Sequence, residues 1–481
     1  MRILFRPDVS SGKGMGHLMR CLALGEELRR LRAEVEFLSD TNSTHATERI
    51  AGAGFSVSQL QTDSESRFLR EGAHADWIVV DHYGLDRAWE SMARGVAKRV
   101  MVIDDLADRP HDCDLLLDQN AHERPAERYR GLVPDRCEAL FGPKYALLGR
   151  SYIRYRSRVQ RPAEGTEFRI LVSFGGSDPD DVTLKVLQAL ARTRTKPYRI
   201  DVVVGKDYAY ADTLRRYASP SDHISYYRDV ADMAPFVARA DLVIGGGGIS
   251  AWERCALGRP AIVIALADNQ RAIGEWLSGT GAVLYLGSAV DVSEAAIASG
   301  VESLLFDQTR LHAMAAAAAR QTDARGAQRV AAKLLGYVDR EGCPIVLREL
   351  EPADREVLFR WQQDPSTRRY SRDQRAPQWG EHQAWFDQRL RSERWTRIIL
   401  RDDIAAGVIR TDPRPDNCEE VSIVIAPTER GRGIGAQALR LLQQERRRPL
   451  SAFVHSDNAA SRRLFANAGF RYDGEYWRWE P

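Results

Sequence analysis

The sequence has little of what marks a metal-binding, membrane or nucleic-acid-binding protein. Its six cysteines include no CxxC pair, so a zinc or redox site has little support and free thiols in a reducing compartment are expected. No apolar run approaches the roughly 18 residues that span a bilayer, and the N-terminus does not resemble a signal peptide. The net charge of +2 is too small to indicate a nucleic-acid-binding surface. We therefore expect a cytoplasmic protein with no membrane or nucleic-acid partner.

The composition is that of an ordinary globular protein, 44% hydrophobic and 28% charged, and 481 residues suffice for two to four domains. Residues 1–340 alternate between segments typical of strands and of helices. Continuous apolar runs such as Trp77–Val80 and Val100–Ile103 suit strands of a parallel sheet that is covered on both faces. A polar stretch at 160–167 divides the alternation into two series, which predicts two doubly wound units with a cleft between them.

After Arg340 the pattern changes to an α+β order of about 135 residues, which is enough for an independent domain. The predicted fold class is therefore α/β, with two doubly wound Rossmann-like domains followed by an α+β domain. The predicted domain bounds are 1–160, 161–340 and 343–481.

A glycine-rich loop separates the first predicted strand from the first predicted helix. It contains Gly12, Gly14 and Gly16, followed by His17. Ligands of doubly wound sheets bind beyond the carboxyl ends of the strands, where a helix N-terminus attracts anions. The G-x-G-x-x-G fingerprint is missing, which disfavours a nicotinamide cofactor. The helix N-terminus and Arg20 disfavour the imidazolium, so His17 is predicted to be neutral and available as a base, with helix capping as the alternative.

A second polar cluster, Asp81-His82-Tyr83-Gly84-Leu85-Asp86, follows an apolar strand and is predicted to face the same edge of the sheet. Tyr83 is a candidate for hydrogen bonding to a sugar or for proton transfer. Turn stabilisation by Asp81 and Gly84 is the alternative. Asp112-Cys113-Asp114 has the form of a D-x-D metal motif, but its surroundings favour an ordinary strand entrance, and no metal is predicted.

Three strand ends in the second series carry features of a nucleotide site. Two are glycine loops, Ser173–Asp178 and Gly245–Ser250, each placed between a strand and a helix as in a phosphate cradle. The third is Ala267–Gln270. Glu253, near the start of a helix, can accept two hydrogen bonds from ribose hydroxyls. Together these segments predict a nucleotide site.

Residues 240–260 resemble the nucleotide-binding half of GT-B enzymes, such as the peptidoglycan GlcNAc transferase, in the run A-D-L-V-I-G-G-G-G-I-S-A-W-E-R-C-A-L-G-R-P. Three further runs narrow the resemblance: F-R-P-D-V-S-S-G-K-G-M-G-H-L-M-R at 5–20, D-H-Y-G-L-D at 81–86 and S-F-G-G-S-D at 173–178. Over about residues 1–340 the chain resembles the UDP-sugar hydrolase family of pseudaminic acid biosynthesis. Members of that family remove UDP from UDP-2,4-diacetamido-2,4,6-trideoxy-β-L-altropyranose, on the route to flagellin glycosylation.

The resemblance implies a GT-B fold and metal-independent attack of water at the anomeric carbon, with inversion. It also implies that His17 activates the water, that Tyr83 contacts the sugar and that Glu253 binds the ribose. The other substrate-binding positions that it implies are Gly16, Arg20, Gly175, Gly246, Gly247, Ser250 and Asn269.

A third glycine loop, R-G-R-G-I-G-A at 430–436, follows a predicted strand and precedes a helix. It fits R-x-x-G-x-G and resembles the pyrophosphate loop of GNAT acetyltransferases, which use acetyl-CoA; a basic glycine turn is the alternative. Backbone N–H groups at a helix N-terminus suit a pyrophosphate, and arginine adds charge. The cofactor-binding residues that the resemblance implies are Arg430, Arg432, Gly433, Gly435, Asn458 and Ser461.

The segment 368–390 resembles the amino-sugar branch of the GNAT enzymes. That branch includes an N-acetyltransferase whose acceptor is the 4-amine of UDP-4-amino-4,6-dideoxy-N-acetyl-β-L-altrosamine. Tyr370, His382, Trp385 and Phe386 are candidates for a sugar-binding wall, although Trp385 and Phe386 suit the core equally well.

Two residues are candidates for proton transfer in the acetyltransferase. Glu420 lies beside a strand that would face the thioester, and it is a candidate base acting through water. GNAT enzymes often have a tyrosine acid where Phe465 stands, and phenylalanine cannot donate a proton. Tyr472, or water, is therefore the candidate acid.

The two resemblances together predict a bifunctional enzyme in which the acetylated product of the last domain is the substrate of the first two. The expected partners are a UDP-linked amino sugar and acetyl-CoA. The alternatives are a GT-B glycosyltransferase fused to a protein N-acetyltransferase, and a nucleotide-sugar-binding scaffold with an inactive first domain.

Overall fold

The computed structural model describes residues 1–9, 15–40, 44–60, 74–157, 167–176, 178–193 and 198–481. These residues form two compact units. The first contains Met1–Arg29 and Ala33–Ala327, and the second contains Arg30–Arg32 and Gln328–Pro481. The second unit begins earlier than the predicted domain start at 343, because the helix Gly326–Leu334 lies almost wholly within it.

The first unit begins with a parallel sheet. Its described strands are β1 (Arg2–Pro7), β2 (Glu34–Asp40), β3 (Ser56–Leu60), β4 (Ala75–Asp81), β5 (Ala97–Ile103), β6 (Leu115–Asp118) and β7 (Glu138–Phe141). They lie in the order β3-β2-β1-β4-β5-β6-β7. The helices described in this part are α1 (Met15–Arg30), α2 (Thr44–Gly52), α3 (Arg87–Ala93), α4 (Pro125–Arg128) and α5 (Arg150–Arg156). A short 3-10 turn covers Pro143–Tyr145.

The strand order of this sheet reverses between β1 and β4, and such a switch point opens a crevice beyond the carboxyl ends of the two strands. The middle of β4 is apolar because both faces of a parallel sheet are covered, and Ile78 and Val79 are fully buried. Asp81 is the last residue of β4, and α1 begins shortly after β1. The crevice is therefore bordered by Asp81 and the first turn of α1.

A second parallel sheet follows in the same unit. Its described strands are β8 (Phe168–Ser173), β9 (Tyr198–Val204), β10 (Ile224–Arg228), β11 (Leu242–Gly245), β12 (Ala261–Ala265) and β13 (Val283–Ser288), in the order β10-β9-β8-β11-β12-β13. The described helices are α6 (Val182–Ala191), α7 (Ala211–Ala218), α8 (Ala234–Arg239), α9 (Ile249–Ala256), α10 (Asp268–Gly279), α11 (Glu294–Leu305) and α12 (Gln308–Ala319). The next helix, α13 (Gly326–Leu334), lies almost wholly in the second unit. The switch point of this second sheet lies between β8 and β11, the two strands that precede the predicted glycine loops.

The second unit contains a mixed sheet. Its strands are β14 (Ile345–Glu349), β15 (Thr396–Arg401), β16 (Ile404–Pro413), β17 (Glu419–Ile425), β18 (Leu450–Ala452), β19 (Arg471–Tyr472) and β20 (Trp477–Trp479), in the order β14-β15-β16-β17-β18-β20-β19. Neighbours are antiparallel except β17 and β18, which are parallel. The helices are α14 (Arg355–Gln363), α15 (Pro365–Arg368), α16 (Trp379–Arg391), α17 (Ile434–Glu445) and α18 (Ala459–Asn467), with 3-10 turns at Pro352–Asp354 and Pro427–Glu429.

None of the helices in the described ranges has both the length and the apolar content that crossing a bilayer requires.

Candidate functional site

His17 and Asp81 form a buried pair at the crevice of the first sheet. His17 lies in the first turn of α1, and its Nδ1 is 2.8 Å from Oδ1 of Asp81 and 3.2 Å from the Asp81 main-chain oxygen. The two residues are 5% and 0% exposed. Because both neighbours of Nδ1 are acceptors, that nitrogen carries a proton in the neutral ring. Nε2 is then the nitrogen that can accept a proton from a substrate or from water.

The surroundings of His17 act on its pKa in two opposite directions. Burial disfavours the imidazolium, but the Asp81 carboxylate beside Nδ1 outweighs it, and the pKa of His17 is raised. The predicted influence of Arg20 is present but smaller. The sequence-based argument considered only the helix N-terminus and Arg20 and omitted the carboxylate at the end of β4, which acts in the opposite direction. The same arrangement holds the pKa of Asp81 well below its ordinary value. Burial alone would raise this pKa, but the combined effect of Arg20 and His17, which lower it, is larger.

Arg20, expected to contact substrate, lies among carboxylates of the protein. Its Nε and Nη2 donate to the two oxygens of Asp81 at 2.6 and 2.5 Å, and its Nη1 is 3.3 Å from Oδ2 of Asp105. The side chain is only 5% exposed. This bidentate pairing has the geometry that fixes a carboxylate most firmly. Arg20 therefore holds the carboxylate that orients His17.

Tyr83 completes this group. Its ring packs edge-on against the His17 ring, with centroids 4.4 Å apart, and its hydroxyl donates to Oδ1 of Asp105 at 3.0 Å. Sequence reasoning singled out Tyr83 but missed Asp105. The available signal was the polar pair Asp104-Asp105 directly after the apolar strand β5, which repeats the pattern at the end of β4.

The glycine loops of the second sheet lie at its switch point. Gly175 has a φ of 92°, which favours glycine, and Gly247 approaches the main chain of Gln270 so closely that a Cβ would lie 2.9 Å from the carbonyl oxygen. The Gln270 side-chain oxygen accepts from the main-chain N–H of Gly247 at 2.9 Å and of Leu266 at 3.1 Å. Gln270, which sequence reasoning did not single out, therefore fixes two of the strand-end loops relative to each other, whereas the predicted Asn269 is exposed.

Arg254 of α9 ties the glycine loop at 245–250 to the core. Arg254 donates to the Gly246 carbonyl at 2.7 Å and to the Ser250 hydroxyl at 3.2 Å, and burial lowers its pKa to about 10. Glu253 is partly buried, and burial raises its pKa while the Tyr152 hydroxyl opposes that rise. The contacts of Arg254 hold Gly246 and Ser250 together, and Glu253 precedes Arg254 on the same helix. Gly12, Gly14 and Ser177 of the predicted loops lie outside the described residues.

In the second unit, β17 and β18 pair only at Glu419 with Leu450 and at Glu420 with Ser451. Beyond that point, within the fully described stretch 344–481, β17 pairs only with β16. The edge of β17 that faces β18 is thus left with main-chain groups available to a ligand. Gly433 has a φ of 87° and immediately precedes α17. The N–H groups at the N-terminus of α17 therefore adjoin the loop that contains Gly433.

The predicted cofactor-binding arginines have protein partners. Arg430 donates to the hydroxyls of Ser366 at 2.5 Å and Thr367 at 2.6 Å, and Arg432 pairs with Glu341 and Glu429. Both arginines are partly or fully exposed, so a pyrophosphate can compete for them. The other two predicted cofactor-binding residues contact each other. The Asn458 side chain accepts a hydrogen bond from the Ser461 main-chain N–H at 3.0 Å and caps α18.

Glu420 lies between two arginines. Its carboxylate is 3.0 Å from Arg372 and 3.4 Å from Arg414, and the Tyr476 hydroxyl is 3.4 Å from Arg372. The structure brings Tyr476, which sequence reasoning missed, to this cluster. Tyr472 is 56% exposed, and its hydroxyl donates to the Gly474 carbonyl at 2.6 Å.

The residues of the predicted sugar-binding wall lie in different surroundings. The Tyr370 ring lies 5.7 Å from that of His455, and Trp385 lies beside the guanidinium groups of Arg389 and Arg410. His382 is 2% exposed, its Nε2 is 2.8 Å from the Arg355 carbonyl, and burial lowers its pKa. The structure therefore places His382 inside the protein, where it supports the helix pair α14 and α16.

Two family models match the chain. Residues 170–330 match the glycosyltransferase family 28 C-terminal domain, and residues 345–471 match the acetyltransferase (GNAT) domain. With the sheets described above, these matches confirm the predicted fold class of two Rossmann-like domains of the GT-B kind followed by a GNAT domain.

Three relatives show how far the likeness extends. An uncharacterized protein of Methanocaldococcus jannaschii is 23% identical over 493 aligned positions, covering 98% of this chain and 97% of that protein. The UDP-2,4-diacetamido-2,4,6-trideoxy-beta-L-altropyranose hydrolase of Campylobacter jejuni is 25% identical over 286 positions, 58% of this chain and 97% of that enzyme. A spore coat polysaccharide biosynthesis protein of Bacillus subtilis is 29% identical over 143 positions, 30% of this chain and 40% of that protein. The chain is thus homologous to a UDP-sugar hydrolase and carries a GNAT domain in addition.

Proposed function

We propose that this homologue of a UDP-sugar hydrolase with an added GNAT domain catalyses two consecutive reactions in the cytoplasm. The GNAT domain transfers the acetyl group of acetyl-CoA to the 4-amine of a UDP-linked amino sugar. The first unit then hydrolyses the product, UDP-2,4-diacetamido-2,4,6-trideoxy-β-L-altropyranose, to UDP and the free sugar. The proposal depends on the His17–Asp81 pair, in which Asp81 orients the imidazole at the switch point of the first sheet. The glycine loops lie at the switch point of the second sheet of the same unit.

The chemistry of the first unit follows from this arrangement. Nε2 of His17 accepts a proton from water as the water oxygen bonds to the anomeric carbon, and the bond from that carbon to UDP breaks. Attack opposite the leaving group inverts the configuration, and no metal is required in this proposal. Asp81 stabilises the imidazolium that forms, and the glycine loops and the N-terminus of α9 receive the diphosphate.

The second reaction is supported by the opened edge of β17 and by the loop before α17. The amine nitrogen bonds to the thioester carbon and loses a proton, the carbon–sulfur bond breaks, and the departing sulfur takes up a proton, so that CoA leaves as a thiol. Glu420 lies on the strand beside this opening, and its carboxylate is already paired with Arg372 and Arg414. We therefore assign it chiefly to holding Arg372 and Arg414 at the acceptor side.

The proposal is tested by incubating the full chain with acetyl-CoA and the UDP-4-amino sugar while free CoA and UDP are followed by mass spectrometry. CoA is expected to appear first and UDP afterwards, and the pre-acetylated sugar is expected to release UDP without acetyl-CoA. If CoA is released from acetyl-CoA but neither substrate yields UDP, the hydrolase assignment is contradicted. Transfer of the sugar to an added alcohol, with no free sugar formed, would instead identify a glycosyltransferase.

A pH profile tests the role of Asp81. His17 must be neutral to act as a base, so UDP release in the wild type is lost as the pH falls through the raised pKa of His17. Asparagine at position 81 removes the charge that raises this pKa and leaves Arg20 nearby, so the acid limb of kcat/KM is expected to move to lower pH. The maximal rate is expected to fall about tenfold or more, because the amide no longer fixes the proton on Nδ1. An acid limb that stays in place or moves to higher pH contradicts this role.

A further inference from the structure

Asp105 joins two parts of the hydrolase site through its side chain. It follows β5, the strand next to β4, and its carboxylate is 11% exposed. One oxygen accepts from the Tyr83 hydroxyl at 3.0 Å, and the other is 3.3 Å from Nη1 of Arg20. Through Arg20 it connects to Asp81, and through Tyr83 it connects to the ring that packs against His17.

The direction of the Tyr83 hydrogen bond has a chemical consequence. A tyrosine hydroxyl has one proton, and here that proton is donated to Asp105. The remaining lone pairs can only accept hydrogen bonds. Burial, and then the Asp105 carboxylate, raise the pKa of Tyr83 well above its usual range, so the hydroxyl keeps its proton across the working pH range. Tyr83 is thus a hydrogen-bond acceptor and not a proton relay.

We propose that Asp105 is a positioning residue for hydrolysis: it fixes the Tyr83 hydroxyl as an acceptor beside His17 and, through Arg20, holds Asp81 in register with the imidazole. This inference rests on the proposed function of the first unit. It implies that the group which Tyr83 contacts in the bound state is a hydrogen-bond donor, an O–H or N–H of the sugar or of the attacking water.

The backbone of Asp105 is held independently of its side chain. Arg128 donates to the main-chain oxygens of Asp105 and Leu106, both at 3.1 Å. The loop after β5 should therefore keep its course when the carboxylate is removed. A substitution at Asp105 consequently tests the side chain rather than the fold of the loop.

The test compares Asp105→Ala with Asp108→Asn, an exposed carboxylate three positions later that pairs with Arg109. Asp105→Ala is expected to lower kcat for UDP release about tenfold, with a smaller change in KM, because the site loses its alignment. Asp108→Asn is expected to retain the wild-type rate. Melting temperatures identify any variant that has simply lost stability.

A double-mutant cycle with Tyr83→Phe separates positioning from general support. If Asp105 acts through Tyr83, the effects of Asp105→Ala and Tyr83→Phe are less than multiplicative in the double variant. The acid limb of the pH profile should also shift to lower pH in Asp105→Ala, by less than in Asp81→Asn, since a more distant negative charge is removed from His17. A wild-type kcat in Asp105→Ala, or fully multiplicative effects, overturns the inference alone. A wild-type enzyme that releases no UDP overturns the proposed function and this inference with it.

Discussion

Replacing His17 by leucine is expected to lower the rate of UDP release by about two to four orders of magnitude, the usual contribution of a positioned general base. Leucine fills a similar space but offers no nitrogen to the attacking water. The buried Asp81 keeps its bidentate partner Arg20, so the carboxylate is not left without compensation. The measurement is kcat for UDP release from the pre-acetylated sugar, with CoA release from the UDP-amino sugar followed in parallel.

The matched control for this variant is His74→Leu, which changes an exposed histidine directly before β4. It is expected to retain both activities. The acetyl transfer rate of His17→Leu should equal that of the wild type, because the second unit has its own sheet and its own ligand-binding loop. Full UDP release by His17→Leu would refute the assignment of the base, and loss of both activities would indicate that the substitution disturbs the whole chain.

The parts of the site that could be predicted are those encoded by short runs. The loop at 245–250 and the R-x-x-G-x-G run each combine a strand, glycines and a helix start within a few residues, and the structure places both between a strand and a helix. The alternation of strands and helices also predicts a doubly wound sheet, whose strand order reverses at a switch point, and the observed order places β4 beside β1. Its consequence is that the ends of β1 and β4 are adjacent, which is why His17 meets Asp81.

The parts that could not be predicted depend on contacts between distant segments. The family resemblance implied that Arg20 binds the substrate, but its side chain points toward the ends of β4 and β5, where Asp81 and Asp105 bind it. His382 was expected on a sugar-binding wall, but the spacing of α16 places it on the face that packs against α14. In both cases the sequence shows the type of residue but not the direction of its side chain, because that direction depends on packing against distant segments.

Replacing Gly433 by valine is expected to weaken acetyl-CoA binding about a hundredfold. Gly433 has a φ of 87°, a conformation that costs a β-branched residue several kcal/mol, on the order of 1–3 for an ordinary side chain and more for valine. The chain would relieve this strain by moving the loop, and the N–H groups at the start of α17 would no longer converge on one pyrophosphate. The measurement is the Kd of acetyl-CoA by calorimetry, together with KM in the transfer reaction.

Gly336→Val is the matched control for the loop variant, because Gly336 has a φ of 72° in the same unit but follows α13 instead of preceding α17. It introduces comparable backbone strain without touching the ligand loop, so the affinity for acetyl-CoA should be unchanged even if the melting temperature falls. Gly433→Val should still release UDP from the pre-acetylated sugar at the wild-type rate. Wild-type affinity in Gly433→Val would contradict the assignment of this loop. An equal loss in both variants would attribute the effect to the stability of the unit rather than to pyrophosphate binding.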